Sequence, residues 1–434
     1  MRIEVLEPWE SPTKSRAARF VMTFRHTRER LGNRRALQFA VKTIVVKLPQ
    51  LIAHTRASRR RGKVRAEIAR ARLKRTNDDP HLAIAVTGGI GDFIILARFV
   101  RDLQTSAGPF VFDVFAPIPK HAVWAFSSVP GFRVAYHDIL FDQTVYDYDL
   151  AVRANQMLIV YQESVRWDVL REAPRLLDVV ATIINARHHI DVFVQNHPWM
   201  DNYLARAVVF DEHSRRDYLQ HLAGIDHGGD NFTVPTDASA PKRFGLDGRL
   251  YITIHNGFDT GFVVSGRRAT KCYPHFGAVV AILKREFRDV RFVQIGTKTS
   301  ERIDECDLNL LNRTTLDEVA GLIAGAQLHL DNEGGLVHLA SSLGTRCAVV
   351  FGPTPSDFFG YPGNINIDPP VCGNCWWMTK TWMDLCAKEY DAPRCMTEQD
   401  PVVVASRVST GLKEEVASWR EAPIQTMPSR AVSS

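Results

Sequence analysis

From residue 81 onward the chain alternates short, wholly apolar runs with longer amphipathic ones. His81–Thr87 is apolar almost throughout, the pattern of a strand buried on both faces of a parallel sheet. A glycine turn, Gly88–Gly91, follows, and Asp92–Leu103 then has the period of a helix. Val111–Phe115 predicts a second strand and Leu150–Arg153 another. From about 185 to 235 the sequence is polar and aromatic with weak period, and no order of elements can be read there. A second block begins near Leu250. It predicts strands at Tyr251–His255, Val290–Ile295, Gln327–Asp331 and Cys347–Phe351, and helices at His275–Phe287, Thr315–Ala324 and Gly334–Leu343. Alternation of this kind in two successive blocks predicts an α/β chain with two Rossmann-like domains, 80–245 and 248–415. Residues 421–434 predict a flexible tail.

Charge sets the first 76 residues apart. They hold 21 Lys/Arg against 5 Asp/Glu, whereas the rest holds 33 against 43. The whole chain has 434 residues, 45% hydrophobic and 24% charged, an ordinary globular balance with room for two domains. The best periodic piece of the basic extension is Arg35–His54, where Leu37, Val41, Ile44, Val45, Leu48, Leu51 and Ile52 share a helical face and Pro49 ends or kinks it. One reading is an interfacial helix on an anionic membrane surface, aided by Arg59, Arg60, Arg61 and Lys63. The other is a helix packed on the protein's own body or on another subunit of a homo-oligomer. The body lacks a basic stripe interleaved with aromatics, so no nucleic-acid partner is expected. There is no secretory signal pattern and no run of ~20 apolar residues. The expected place is the cytoplasm, peripheral at the inner membrane.

Of seven cysteines, four lie at Cys372, Cys375, Cys386 and Cys395. One C-x2-C knuckle and two further thiols suit a tetrahedral structural zinc or iron better than a disulfide framework in such a chain. Trp376, Trp377 and Trp382 are interleaved and would give the finger a small core.

Three segments carry candidate chemistry. The first is Gly88-Gly89-Ile90-Gly91-Asp92, between a strand and a helix. Gly89 and Gly91 let the backbone approach a ligand, and the helix start favours negative charge. The dinucleotide pattern G-x-G-x-x-G fails, because Ile94 stands at its third glycine. Asp92 at this turn is placed either as a general base for an attacking hydroxyl or as a helix-start acid that complements the dipole. The second is Asn332–Ala340, where Gly334 and Gly335 would leave N–H groups free for phosphate oxygens, Glu333 would cap the helix or meet sugar hydroxyls, and His338 would reach a phosphate or lie in the core. The third is Asn256–Pro274, with Asn256 at a strand end and Lys271 as a point charge for a diphosphate or a solvated lysine.

In order and spacing these segments resemble glycosyltransferase family 9, the ADP-heptose-dependent heptosyltransferases. Gly88–Asp92 is similar to that family's first motif, Lys271-Cys272-Tyr273-Pro274 to its Lys-aromatic-Pro segment, and Leu311–Leu316 to its L-G-K-T-S-L stretch. Asn332–Ala340 with Leu343–Thr345 and Phe351–Thr354 is similar to its C-terminal signature. The resemblance covers about 82–105 and 250–410.

It implies a GT-B fold, two Rossmann-like domains facing a cleft, and inverting transfer that requires no catalytic cofactor. It implies Asp92 as general base, Lys271 on the donor diphosphate, and Gly334, Gly335 and His338 along the diphosphate and sugar. Glu301 would match the ribose-binding acid. The family has Asp where Glu333 stands, and Pro where Arg98 stands; an arginine there would meet an anionic acceptor. The metal finger resembles the oligomeric autotransporter-heptosyltransferase branch. The implied partners are a nucleotide-sugar donor, ADP-heptose, and a glycan, lipid-linked or protein acceptor. Two other classes stay open at this stage. One is a Rossmann-type oxidoreductase, and the other a membrane- or nucleic-acid-associated scaffold using the basic extension.

Overall fold

The computed structural model describes residues 62–70, 79–258, 265–298 and 300–421. The chain falls into two compact units, Met1–Lys74 and Arg75–Ser434. In the first, residues 62–70 form a helix. The expected interfacial segment Arg35–His54 lies outside the described residues, as does the tail beyond 421.

The second unit is built on two mostly parallel sheets. The first holds β1 (His81–Val86), β2 (Val111–Ala116), β3 (Phe132–His137), β4 (Leu150–Ala154) and β5 (Leu158–Val160) in the order β3-β2-β1-β4-β5. Only β5 runs antiparallel to its neighbour. The second holds β6 (Tyr251–Ile254), β7 (Arg291–Gln294), β8 (Leu308–Asn309), β9 (Leu328–Asn332), β10 (Cys347–Val350) and β11 (Ile365–Ile367) in the order β11-β10-β9-β6-β7-β8. All its pairings are parallel. The connecting helices include α1 (Ile90–Ala107), α2 (Pro119–Phe126), α3 (Pro174–Gln195), α4 (Asp201–Phe210), α5 (Tyr218–Ala223), α6 (Phe276–Glu286), α7 (Leu316–Ala324), α8 (Gly335–Ser342) and α9 (Pro401–Glu421). These two Rossmann-like halves are the ones the alternation predicts and the elements of the GT-B fold that the resemblance implies.

The strands form where the apolar runs stand. All six residues of β1 are buried, because helices cover both faces of a parallel sheet. The first strand of each sheet lies inside it, β1 between β2 and β4 and β6 between β7 and β9. Each sheet therefore has a topological switch point, and a crevice opens past the carboxyl ends of its central strands. The three segments singled out in the sequence follow β1, β6 and β9 at those ends.

Helix starts obey local chemistry. Thr315 caps α7, its Oγ1 accepting from the Glu318 N–H at 3.3 Å while Glu318 Oε2 accepts from the Thr315 N–H at 2.5 Å. Asn312, where the family pattern has glycine, takes the left-handed φ of 56°. The stretch 185–235 folds into the end of α3, then α4 and α5. Its period was hard to read because α3, though 22 residues long, buries only Leu176, Val179, Val180, Ile183 and Ile190.

Candidate active site

The starts of α1 and α8 face each other at close range. A Cβ on Gly91 would stand 2.6 Å from His338 Cδ2 and 2.9 Å from Gly335 Cα, and one on Gly335 would stand 2.6 Å from Ile90 Cγ2. Only glycine permits this approach of two backbones. Gly88 serves a different need: its φ is 100°, and a side chain there would land on the Asp92 carboxylate.

Asp92 occupies the first turn of α1. Its Oδ2 accepts from the Gly89 N–H at 3.0 Å, and its Oδ1 accepts from Arg215 Nη2 at 3.0 Å. The carboxylate keeps 29% of its surface open. Asp92 thus complements the helix start while part of its carboxylate stays exposed. Arg215 is the residue that sequence reading missed. It lies just before α5, 123 positions from Asp92, with its side chain 1% exposed and its Nε and Nη1 lacking a hydrogen-bond partner among the described residues. Nothing in the local sequence around Arg215 distinguishes it from its neighbour Arg216.

Across the junction, Gly334 is extended and opens α8 without a side-chain cap. The first N–H groups of α8 therefore have no capping side chain and could meet a phosphate. Lys271 Nζ stands 3.4 Å from Glu333 Oε2, both largely buried. Burial works against the lysine's charge, but Glu333, Cys272 and Asp331 outweigh it and raise its pKa. Glu333 thus neither caps α8 nor stands free; it pairs with the cation that the resemblance assigns to a diphosphate.

His338 is buried, and its Nδ1 lies 2.9 Å from Tyr361 Oη. Burial first, then the charges of Arg98, Arg215 and Lys271, push its pKa down to about 3. The ring is neutral at physiological pH. Arg98 is 0% exposed, with Nη1 on Asp230 and Nη2 on Tyr361 Oη. A guanidinium held this way is not open to an anionic acceptor, which corrects the expectation for Arg98: it joins α1 to the segment before β6 and to Tyr361.

Beside β6 lies a cavity of about 220 Å³ lined by Asn256, Phe258, Arg268, Tyr273, Ser300 and Glu301 among others. The Asn256 amide is spent on scaffolding, donating to the Glu301 carbonyl at 2.8 Å and accepting from Gln294 Nε2 at 3.2 Å. The Glu301 carboxylate is 62% exposed and pairs with Arg268 at the rim. Buried Asp331 of β9 accepts from His255 Nδ1 at 2.9 Å and fixes the end of β6.

The four finger cysteines are free thiols, Cys395 buried and the other three half-buried. Burial, and then Cys372, Cys375 and Cys386, push the Cys395 thiol up to about 12. Four soft donors suit zinc or iron in kind. Among the described residues, however, no group of three or more His, Cys, Asp or Glu side chains is arranged to hold a metal ion. Trp376 and Trp382 are buried, and Trp377 packs against Trp382 and Trp199.

Among solved structures, the chain is similar to ADP-heptose LPS heptosyltransferase II of E. coli, at 15% identity and a TM-score of 0.45, covering 77% of this chain and 99% of that one. It is similar to a family 9 glycosyl transferase of Veillonella parvula at 13% identity and a TM-score of 0.44, covering 77% and 98%. The dodecameric, iron-containing glycosyltransferase TibC of enterotoxigenic E. coli aligns at 15% identity and a TM-score of 0.48, covering 80% of each chain. No curated protein sequence matches the chain. Residues 238–374 match the family described as glycosyltransferase family 9 (heptosyltransferase). That span contains Lys271–Pro274, Leu311–Leu316 and Asn332–Ala340, segments that carry the resemblance in the second half.

Proposed function

We propose that this protein moves a heptose from ADP-heptose, with inversion, to a hydroxyl of a glycan, a lipopolysaccharide or a protein. The observation that carries the reading is the juxtaposition of the α1 and α8 starts, which brings an ionisable carboxylate against an uncapped helix N-terminus flanked by Lys271. The acceptor oxygen attacks the anomeric carbon, and Asp92 takes its proton. The bond from that carbon to the β-phosphate oxygen breaks, and the electron pair leaves with the diphosphate. The α8 N–H groups, Lys271 and His338 stabilise that developing charge. In this reading Lys271 leaves Glu333 for the diphosphate, freeing Glu333 for the sugar, and the positive charge against the leaving group comes from these residues without a catalytic metal. Glu301 at the cavity rim takes the donor ribose.

A thermal-shift panel with ADP, UDP, GDP and CMP, each beside a matching sugar conjugate, tests the donor. A ligand that binds only the folded state raises the midpoint. Stabilisation by ADP and ADP-heptose alone is expected. Preference for another nucleotide changes the donor, and no response to any of them overturns the transferase reading.

The same proposal extends to the surroundings of the site. No helix of the described residues is long and apolar enough to cross a membrane. The basic first 76 residues hold the protein peripherally on an anionic cytoplasmic surface or join subunits; liposome flotation and sedimentation of a variant lacking them separate the two. Cys372, Cys375, Cys386 and Cys395 draw together on a structural zinc or iron. Elemental analysis of wild type and Cys372→Ser tests this, and wild-type protein without metal overturns it.

A further inference from the structure

His338 is held by a chain of hydrogen bonds that begins near the segment before β6. The Asp230 carboxylate accepts from Arg98 Nη1 at 2.9 Å, and the Asp230 carbonyl does so at 3.1 Å. Arg98 Nη2 donates to Tyr361 Oη at 2.9 Å, and Tyr361 Oη stands 2.9 Å from His338 Nδ1. Asp230 is itself fixed. Burial would raise its pKa, but His227, Arg216 and Arg98 hold it well below the usual carboxylate range.

The direction of each link follows from the donors. A guanidinium only donates, so Tyr361 Oη must accept from Arg98. Its own proton then points to the remaining partner, His338 Nδ1. Nδ1 must therefore be the bare nitrogen, and the proton of the neutral ring is on Nε2. In the opposite tautomer the hydroxyl would have to accept from both Arg98 and Nδ1–H, leaving its own proton without an acceptor among the described residues. Water cannot readily repair this, since Arg98, Tyr361 and His338 are 0%, 3% and 6% exposed. Among the described residues nothing hydrogen-bonds to Nε2, and the neighbouring ring atom Cδ2 lies against Gly91 at the α1–α8 junction. The low proton affinity of the ring agrees with a neutral donor.

We infer that Arg98 and Tyr361 are positioning residues that lock neutral His338 in the Nε2–H tautomer, making it a fixed hydrogen-bond donor to an anionic oxygen of the donor's diphosphate. The ligand in this statement rests on the proposed function; the tautomer rests on the relay alone.

The test is nitrogen NMR of full-length protein carrying ¹⁵N-labelled histidine, with the His338 ring signals assigned by their loss in His338→Gln. Wild type is expected to show a protonated Nε2 and a bare Nδ1 at neutral pH. A protonated Nδ1 overturns the relay, and the wild-type spectrum alone decides this even if a variant folds poorly. Tyr361→Phe is expected to mix the two tautomers and to weaken ADP binding about tenfold, the loss of one hydrogen bond to a charged group. An unchanged tautomer in Tyr361→Phe also overturns the relay. Mixed tautomers with unchanged ADP affinity support the relay and overturn the diphosphate contact, so the two readings fail separately.

Discussion

The two strand-to-helix turns that meet in this protein are nearly the same local object. Each follows the carboxyl end of a buried parallel strand, each spends glycines on the turn, and each opens a helix towards the other. They differ in what fills the helix start. At α1 the chain supplies its own anion: Asp92 folds back on the Gly89 N–H and is held by Arg215. At α8 the chain supplies none, and the nearest acid, Glu333, is drawn away to Lys271. One helix N-terminus presents a carboxylate and the other presents free donors. In the proposed reaction a shared backbone motif thus serves as a proton acceptor on one side and an anion site on the other.

The sharpest way to break this comparison is to remove the carboxylate. Asp92→Asn is expected to lower turnover by about 10²–10⁴-fold, the range for loss of a positioned general base, while ADP affinity measured by calorimetry stays within about twofold. Retained turnover removes Asp92 from the base role and leaves it a helix cap.

Close approach is tested next. Gly335→Ala places a methyl 2.6 Å from Ile90 Cγ2 and 3.1 Å from the Gly91 nitrogen. Such overpacking costs about 1–3 kcal/mol, so the two helix starts separate and transfer falls on the order of tenfold or more. Gly334→Ala meets nothing nearer than 3.8 Å. It should lie within about threefold of wild type on the same steric argument. Equal effects at both positions would mean that the close contact does not matter.

A smaller effect sharpens the α1 side. Arg215→Lys keeps the charge near Asp92 but replaces a rigid fork by a single flexible ammonium. Turnover is expected to fall about tenfold, with KM for the donor little changed. A rise in KM alone would instead make Arg215 a donor-binding residue through its unpartnered Nε and Nη1.

The smallest effect is on stability. The folded-state pKa of His338 lies below its ordinary value, so the unfolded chain binds the proton more readily between the two. Its contribution is complete above about pH 6.5 and is lost as pH falls towards about 3. Urea titrations at pH 7 and pH 5 should show up to about 2 kcal/mol less stability at the lower pH from this group. His338→Gln should flatten that slope, and an unaltered slope would place the loss in other groups.

The alternation of apolar runs marked the inner strands β1, β2, β4, β6, β7, β9 and β10, because a strand covered on two faces admits only apolar side chains; the outer strands β3, β5, β8 and β11 left no such run. The glycines and acids at strand ends marked Gly88–Asp92 and Glu333–Gly335 for the same local reason: a turn that approaches a ligand needs glycine, and a helix start attracts charge. Tertiary structure alone decided which of these groups meet. Arg215 reaches Asp92 across 123 residues, and Arg98 reaches Tyr361 across 263. Neither pairing leaves a periodic trace. Arg98 read as a contact for an anionic acceptor because it stands where the resembled family has Pro, whereas the fold removes it from water and answers its charge with Asp230. The helices between 174 and 223 were equally hidden, since their apolar stripes are too narrow to set a period until the sheet beside them defines an inside.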